Sequence, residues 1–203
     1  MIYILLTVVF TANLIIDIVI ASKTFEFFIF IFPCSIIIFP IFYILDDILS
    51  EIYGYKKTRR VIFLGFFMNL IAIVCFTITI NMPSPQFFEH HKAYAIVLGS
   101  STRIIAANFI SYLVGSLVNA KVMVFLKDKY DGKKLFFRCI FSTIVGGGLD
   151  AIIFIFIAFY GTIPLYALLI MLIGQILFKP IYETLTYPIT KYIINYIKSL
   201  PDY

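Results

Sequence analysis

Three carboxylates, Asp46, Asp47 and Glu51, fall inside the stretch Phe39-Pro-Ile-Phe-Tyr-Ile-Leu-Asp-Asp-Ile-Leu-Ser-Glu-Ile-Tyr-Gly-Tyr-Lys-Lys-Thr-Arg-Arg60. They follow an apolar run and precede four cations, Lys56, Lys57, Arg59 and Arg60. Cations at the end of such a run anchor it at a membrane surface, but carboxylates one or two turns deeper cost about 2.5–3.5 kcal/mol each at mid-membrane. Groups kept at that cost face a partner, a cavity or a pathway. Other polar residues share the same apolar setting: Asn13, Asp17, Asn69, Arg103, Asn108, Asn119, Lys121, Asp150, Gln175, Lys179 and Glu183. Some have ordinary explanations. The amides Asn13, Asn69 and Asn108 suit interhelical hydrogen bonds as well as a site. Lys179 and Glu183, four apart, share one helical face and are spaced to pair, while Lys121 lies close enough to a polar loop to snorkel.

None of these residues composes a catalytic set. Gly146-Gly-Gly-Leu-Asp150 misses by one residue the Gly-x-Gly-Asp spacing of intramembrane aspartyl proteases, whose paired aspartates share a proton. A membrane-embedded serine protease needs a buried histidine, and His90 and His91 stand in a polar, proline-punctuated loop. No phosphate-binding loop is present, so the chain is not an ATPase by itself. Cys34, Cys75 and Cys139 lack metal-ligand spacing and read as small buried residues. The sequence calls for no enzyme, cofactor or metal.

The elements that position these groups are membrane spans. The 203 residues are 62% hydrophobic and 13% charged, against about 45–50% and about 25% in soluble domains. At 1.5 Å per residue a span needs about 20 residues, which gives six: 2–22, 27–47, 61–80, 103–126, 136–159 and 163–190. The expected fold is an all-α integral membrane protein of six transmembrane helices, one domain over 1–203, with no cleavable leader. Pro33 and Pro40 should kink the second span just before Asp46. Residues 93–102 exceed what the fourth span needs and suggest a separate short helix or a tilted start.

Cation placement chooses an orientation. Lys56, Lys57, Arg59 and Arg60, then Lys127, Lys129, Lys133, Lys134 and Arg138, then Lys191 and Lys198 alternate onto one side, while the opposite loops hold only Lys23 and Lys92. By the positive-inside rule both termini are cytoplasmic, in a bacterial-type inner membrane. The net charge of +5 is therefore a topology signal, and no soluble face exists to bind nucleic acid. What remains is a polar-lined, aromatic-rich solute pathway. A planar heterocycle would suit it, stacking on rings while an Asp or Glu accepts its N–H donors.

The same residues carry a family resemblance. Pro40, Asp47, Glu51, Tyr53-Gly54 and Arg59-Arg60 resemble the second-span signature of the queuosine precursor transporters, the vitamin uptake transporter group. Arg103 resembles their fourth span, Ser142-Thr143 with Asp150 and Phe154 to Phe159 their fifth, and Lys179 with Pro188 their sixth. Departures are Gly146-Gly-Gly148, where relatives often carry an amide, and Ser116, where many carry Gln. The resemblance implies a bundle similar to the substrate-binding subunits of energy-coupling-factor importers. It implies uptake of 7-cyano-7-deazaguanine, related deazaguanines or queuine for tRNA modification. The alternative is a vitamin-binding subunit that works only with separate ATPases. The candidate substrate-binding residues are Asp47, Glu51, Arg103, Asn108, Asn119, Asp150 and Lys179, with proton coupling through Asp47, Glu51 or Asp150 and an oligomeric state left open.

Overall fold

The computed structural model describes residues 1–21, 23–85, 87–99 and 102–200. Helix α1 covers Ile2–Ile20, and a short antiparallel hairpin follows, β1 Thr24–Phe27 with β2 Phe30–Pro33. A 3-10 turn, Cys34–Ile37, leads into α2, Phe39–Asn81. Then come α3 His91–Leu98, α4 Thr102–Lys129, α5 Leu135–Phe159 and α6 Leu165–Lys198. Five of these helical stretches are long and apolar enough to cross a membrane. The protein is a multi-pass, all-α membrane protein.

Helix α2 is two passes in one. Phe10 of α1 meets the Phe42 ring at 5.9 Å, and a Cβ placed on Gly65 would lie 3.3 Å from the same Phe10 side chain. An unbroken helix would hold residues 42 and 65 about 35 Å apart, so the chain must double back between them. It does so at Gly54, whose φ of 73° and ψ of 169° lie in a region only glycine occupies readily. Tyr3, at one end of α1, marks the corner: its hydroxyl donates to Lys57 O at 3.2 Å and its ring meets Tyr53 at 5.0 Å. Six passes thus arise from five helices.

The expected second span, 27–47, is corrected. Residues 24–33 are the hairpin, because Phe28 takes a left-handed φ of 55° and turns the chain back on itself. Neither proline kinks a helix: Pro33 ends β2, and Pro40 sits in the first turn of α2, where its missing N–H costs nothing. The arm from 39 to 53 is only about 22 Å long. The hairpin fills the remaining depth, with Phe30 and Phe32 against Gly174, nine residues into α6 and so about 14 Å below its start. The separate short helix expected near 93–102 is α3.

One end of the bundle gathers the Gly54 corner, the start of α1, the α4–α5 loop and the end of α6. The eleven cations of the alternating loops belong to these segments. This is the basic end, and the opposite is the hairpin end. Helices α4 and α5 cross most tightly, through Gly115 and Gly146: a Cβ on Gly146 would sit 2.7 Å from Gly115 O and 2.6 Å from Asn119 Cβ. That contact aligns Asn119 and Asp150 on one interior face.

Replacing Gly54 by Ala should lower stability in detergent by about 1–3 kcal/mol, because the cost is backbone conformation with nothing within 4 Å of the new Cβ. Gly148→Ala, helical and equally uncrowded, should leave it unchanged or raise it slightly. Thermal unfolding of both variants checks the assignment; equal melting temperatures would remove Gly54 as the corner.

Candidate functional site

The interior polar residues sort into three places along the bundle. Nearest the basic end is Glu51, only 2% exposed and held by three cations from three other segments. Arg138 Nη1 donates to Glu51 Oε2 at 2.7 Å and Lys198 Nζ to Glu51 Oε1 at 2.7 Å, while Lys127 Nζ lies 3.7 Å from Oε1 and donates to the Glu51 carbonyl. Arg138 is fully buried and also donates to the carbonyls of Lys133 and Gly132, which fixes the α4–α5 loop. Glu51 therefore acts as a clamp that closes this end.

Arg103, by contrast, is exposed at the hairpin end. Its guanidinium donates to the carbonyls of Ile157 and Tyr160, capping the end of α5. It contacts no interior polar group among the bonds described. Lys121 is exposed on α4, as snorkelling requires. Asn13 and Asn69 are buried; Asn13 donates to the Val9 carbonyl on its own helix. Of the three cysteines expected to be buried, Cys139 is, Cys34 is partly so, and Cys75 is exposed on the second arm of α2.

Between the two ends lies a narrow aromatic-walled cleft with a cavity volume of about 20 Å³. It is bounded by Asp17 of α1, Ser35 of the 3-10 turn, Asn108 and Tyr112 of α4, Asp150 of α5 and Gln175 of α6, with Phe39, Phe42 and Phe154 as apolar walls. A second cleft, of about 10 Å³, shares Phe39, Phe42, Tyr112 and Asp150 and extends to Tyr43, Asp46 and Ser116. Cavities of this size hold a water or two and lie far below the roughly 300–1,000 Å³ of ligand pockets, so a solute enters only once the walls part.

The charges in this cleft are partly balanced. Lys179 Nζ donates to Asp150 Oδ2 at 2.6 Å and to the Gly147 carbonyl at 2.9 Å, and it lies 4.3 Å from the centre of the Phe39 ring. The pairing expected between Lys179 and Glu183 does not form; Lys179 reaches across to α5 instead. Glycine makes that reach feasible, since a Cβ on Gly147 would collide with the Tyr43 hydroxyl at 2.6 Å and crowd the Lys179 stem at 3.2 Å. Asp17 accepts a bond from Asn108 Nδ2 at 3.3 Å. Tyr112 Oη, Gln175 Nε2 and Asp46 Oδ1 are buried without a hydrogen-bond partner. Buried polar atoms of this kind are ordinarily met by ordered water or a ligand.

Deeper than the cleft, Asp46, Asp47 and Glu183 are 2%, 0% and 1% exposed. Asn119 Nδ2 donates to Asp46 Oδ2 at 3.1 Å and to Asp47 Oδ1 at 3.4 Å. Among the predicted residues, the structure thus brings Asn108, Asp150 and Lys179 to the cleft and Asn119 with Asp47 to the level beneath. It sends Glu51 and Arg103 to opposite ends. Asp17, Tyr112, Gln175 and Glu183 join the interior as well. Asp17, Gln175 and Glu183 were visible as polar residues in apolar runs, whereas nothing in the sequence separates Tyr112 from thirteen other tyrosines.

This six-pass bundle with a polar interior agrees with a comparison of families: residues 33–193 match the family described as "Putative vitamin uptake transporter". The chain belongs to that family. Comparisons with curated proteins and with solved structures found no match. The matched segment runs from the end of β2 almost to the end of α6, so it contains the whole cleft except Asp17.

Lys179→Met should destabilise the protein by about 3–5 kcal/mol, because it strands Asp150 as an unpaired buried charge. Adding Asp150→Asn to Lys179→Met should recover part of that loss. Unfolding of the single and double variants in detergent tests the pair; a double variant no better than the single would mean that the two charges do not depend on each other.

Proposed function

We propose that this member of the vitamin uptake transporter family carries a planar, nitrogen-rich heterocycle across the cytoplasmic membrane, its solutes being the deazaguanine precursors of queuosine. The observation that carries this reading is the cleft: phenylalanine and tyrosine walls enclose two carboxylates, Asp17 and Asp150, two amides, Asn108 and Gln175, and the unpartnered Tyr112 hydroxyl. A pyrrolopyrimidine offers two flat faces to such walls and a row of N–H donors and a carbonyl along its edge. Carboxylates accept the donors and the Gln175 amide can donate to the carbonyl. The Lys179 ammonium keeps the Asp150 charge tolerable in a low-dielectric interior.

In this reading the Glu51 clamp closes the basic end, which faces the cytoplasm by its excess of cations. The hairpin 24–33 covers the other end, where Phe30 and Phe32 sit on α6 beside the cleft. Opening toward the cytoplasm requires that three ion pairs on one carboxylate separate together.

The test is restoration of queuosine in the tRNA of a bacterial strain that neither makes the precursor nor has its own importer, with 7-cyano-7-deazaguanine, its aminomethyl form and queuine supplied separately. The intact chain should restore the modification with at least one compound, without added ATPase or scaffold genes. Asp17→Asn and Asp150→Asn should each reduce uptake at least about tenfold, the worth of one good charge-assisted hydrogen bond, while inserting normally. No restoration by the inserted wild-type chain would overturn the assignment, and restoration only beside separate ATPases would convert it to a binding subunit.

A further inference from the structure

The acids beneath the cleft are in excess. Asp46 and Asp47 of α2 and Glu183 of α6 are each more than nine-tenths buried, and none forms an ion pair among the described residues. The groups that face them from every packed element are few. Helix α2 itself contributes Tyr43, α4 contributes Asn119, Ser116 and Tyr112, and α5 contributes Cys139 and Arg138, with Tyr187 of α6 beside those last two. Helix α1 brings no charged group to them, since its one acid, Asp17, lies at the cleft with Asp150 and Lys179. Arg138 is the cation that acts on Asp47, and its nitrogens are already given to Glu51 and to the carbonyls of Gly132 and Lys133.

Geometry adds a second observation. One carboxylate oxygen of Asp47, one of Glu183 and Cys139 Sγ lie within 4.8 Å of one another, all buried. Asp47 Oδ2 and Glu183 Oε1 have no hydrogen-bond partner, and neither does Asp46 Oδ1 on the cleft side. Two carboxylates this close in a low-dielectric interior cannot both keep a full charge, and a proton between them supplies the missing donor and removes one charge at once. A metal ion here would find only three ligand atoms, one of them a thiol sulfur, on side chains closed off from water, whereas a proton needs only the two carboxylates.

We propose that Asp47 and Glu183 form the proton-binding site that couples this transporter to the proton gradient, with Asp46 linking that site to the solute cleft. The proposal rests on the transport reading above and adds its energy source. A proton enters the pair from the hairpin side and leaves to the basic side; nothing else is consumed. Position favours coupling. Asp46 lines the smaller cleft and, like Asp47, accepts from Asn119 Nδ2, so a proton on Asp47 weakens its hold on that amide and changes the donor available to Asp46, where a solute would bind. Pro180 stands in α6 between Lys179 at the cleft and Glu183 at the pair, where the lost N–H lets the helix bend so that the two levels move separately.

Two measurements on the purified full chain separate this site from the choice of solute. Infrared difference spectra recorded across a pH titration without any solute should show the carbonyl stretch of a buried protonated carboxyl, weakened in Glu183→Gln and in Asp47→Asn and retained in Asp150→Asn. Proteoliposomes should accumulate labelled 7-cyano-7-deazaguanine about tenfold more for each unit of inward pH gradient if one proton moves per solute, and Glu183→Gln should lose that dependence. Sodium gradients should have no effect. Absence of the carbonyl band in the wild type, or uptake driven by sodium alone, overturns the proposal. A normal band with no movement of the deazaguanine leaves the proton site standing and removes the solute assignment. Melting temperatures of the variants show that each is folded, and Glu183→Asp, which keeps the acid, should retain the band.

Discussion

The arrangement depends on one constraint: inside a bilayer a charge must be answered by another group of the protein. Glu51 shows it most plainly. Its carboxylate collects Lys127 from the end of α4, Arg138 from the start of α5 and Lys198 from the end of α6. In lipid there is no hydrophobic drive to hold helices together, so close packing and polar contacts must do so. Helices α4 and α5 pack closely through Gly115 and Gly146, and the ion pairs therefore matter most for joining α2 and α6 to them. The Gly54 corner, directly after Tyr53 and three residues beyond Glu51, is thereby pinned to all three segments.

The same constraint grades the interior from end to end. At the basic end one acid has three cations, in the cleft Asp150 has one, and beneath the cleft three acids have none among the described residues. A purely structural interior would pair its charges evenly or do without them. Uneven pairing is what a pathway needs, since a group that is fully satisfied cannot take up and release a passenger. Gly147 contributes by absence: its missing side chain makes room for the Tyr43 hydroxyl and for the Lys179 stem, so that the ammonium reaches Asp150 and the Phe39 ring together.

Backbone outside helices is costly in lipid, and the hairpin 24–33 meets that cost by pairing its two strands and packing β2 on α6. Its turn leaves Phe28 and Ile29 exposed, as lipid-facing side chains should be. The rings of Phe27, Phe30 and Phe32 surround Phe178, one residue before Lys179, so the hairpin and the cleft share a wall.

By itself the sequence determined the class, the number of passes and the side on which the cations collect, because hydropathy and charge are summed over whole segments and do not depend on which helix touches which. It also marked the acids, since a carboxylate in an apolar run is conspicuous wherever the helix packs. It misplaced the second span: the apolar residues before Pro33 read as helix, and only the turn at Phe28 and the contact with Gly174 make them a hairpin. Roles were decided by tertiary structure. Glu51 and Asp47 are four residues apart on one helix and look alike in sequence, yet one meets three cations and the other meets Glu183 from a helix far along the chain. Lys179 turned from Glu183 to Asp150 for the same reason: a buried charge takes the partner that packing brings within reach, and chain spacing cannot specify that.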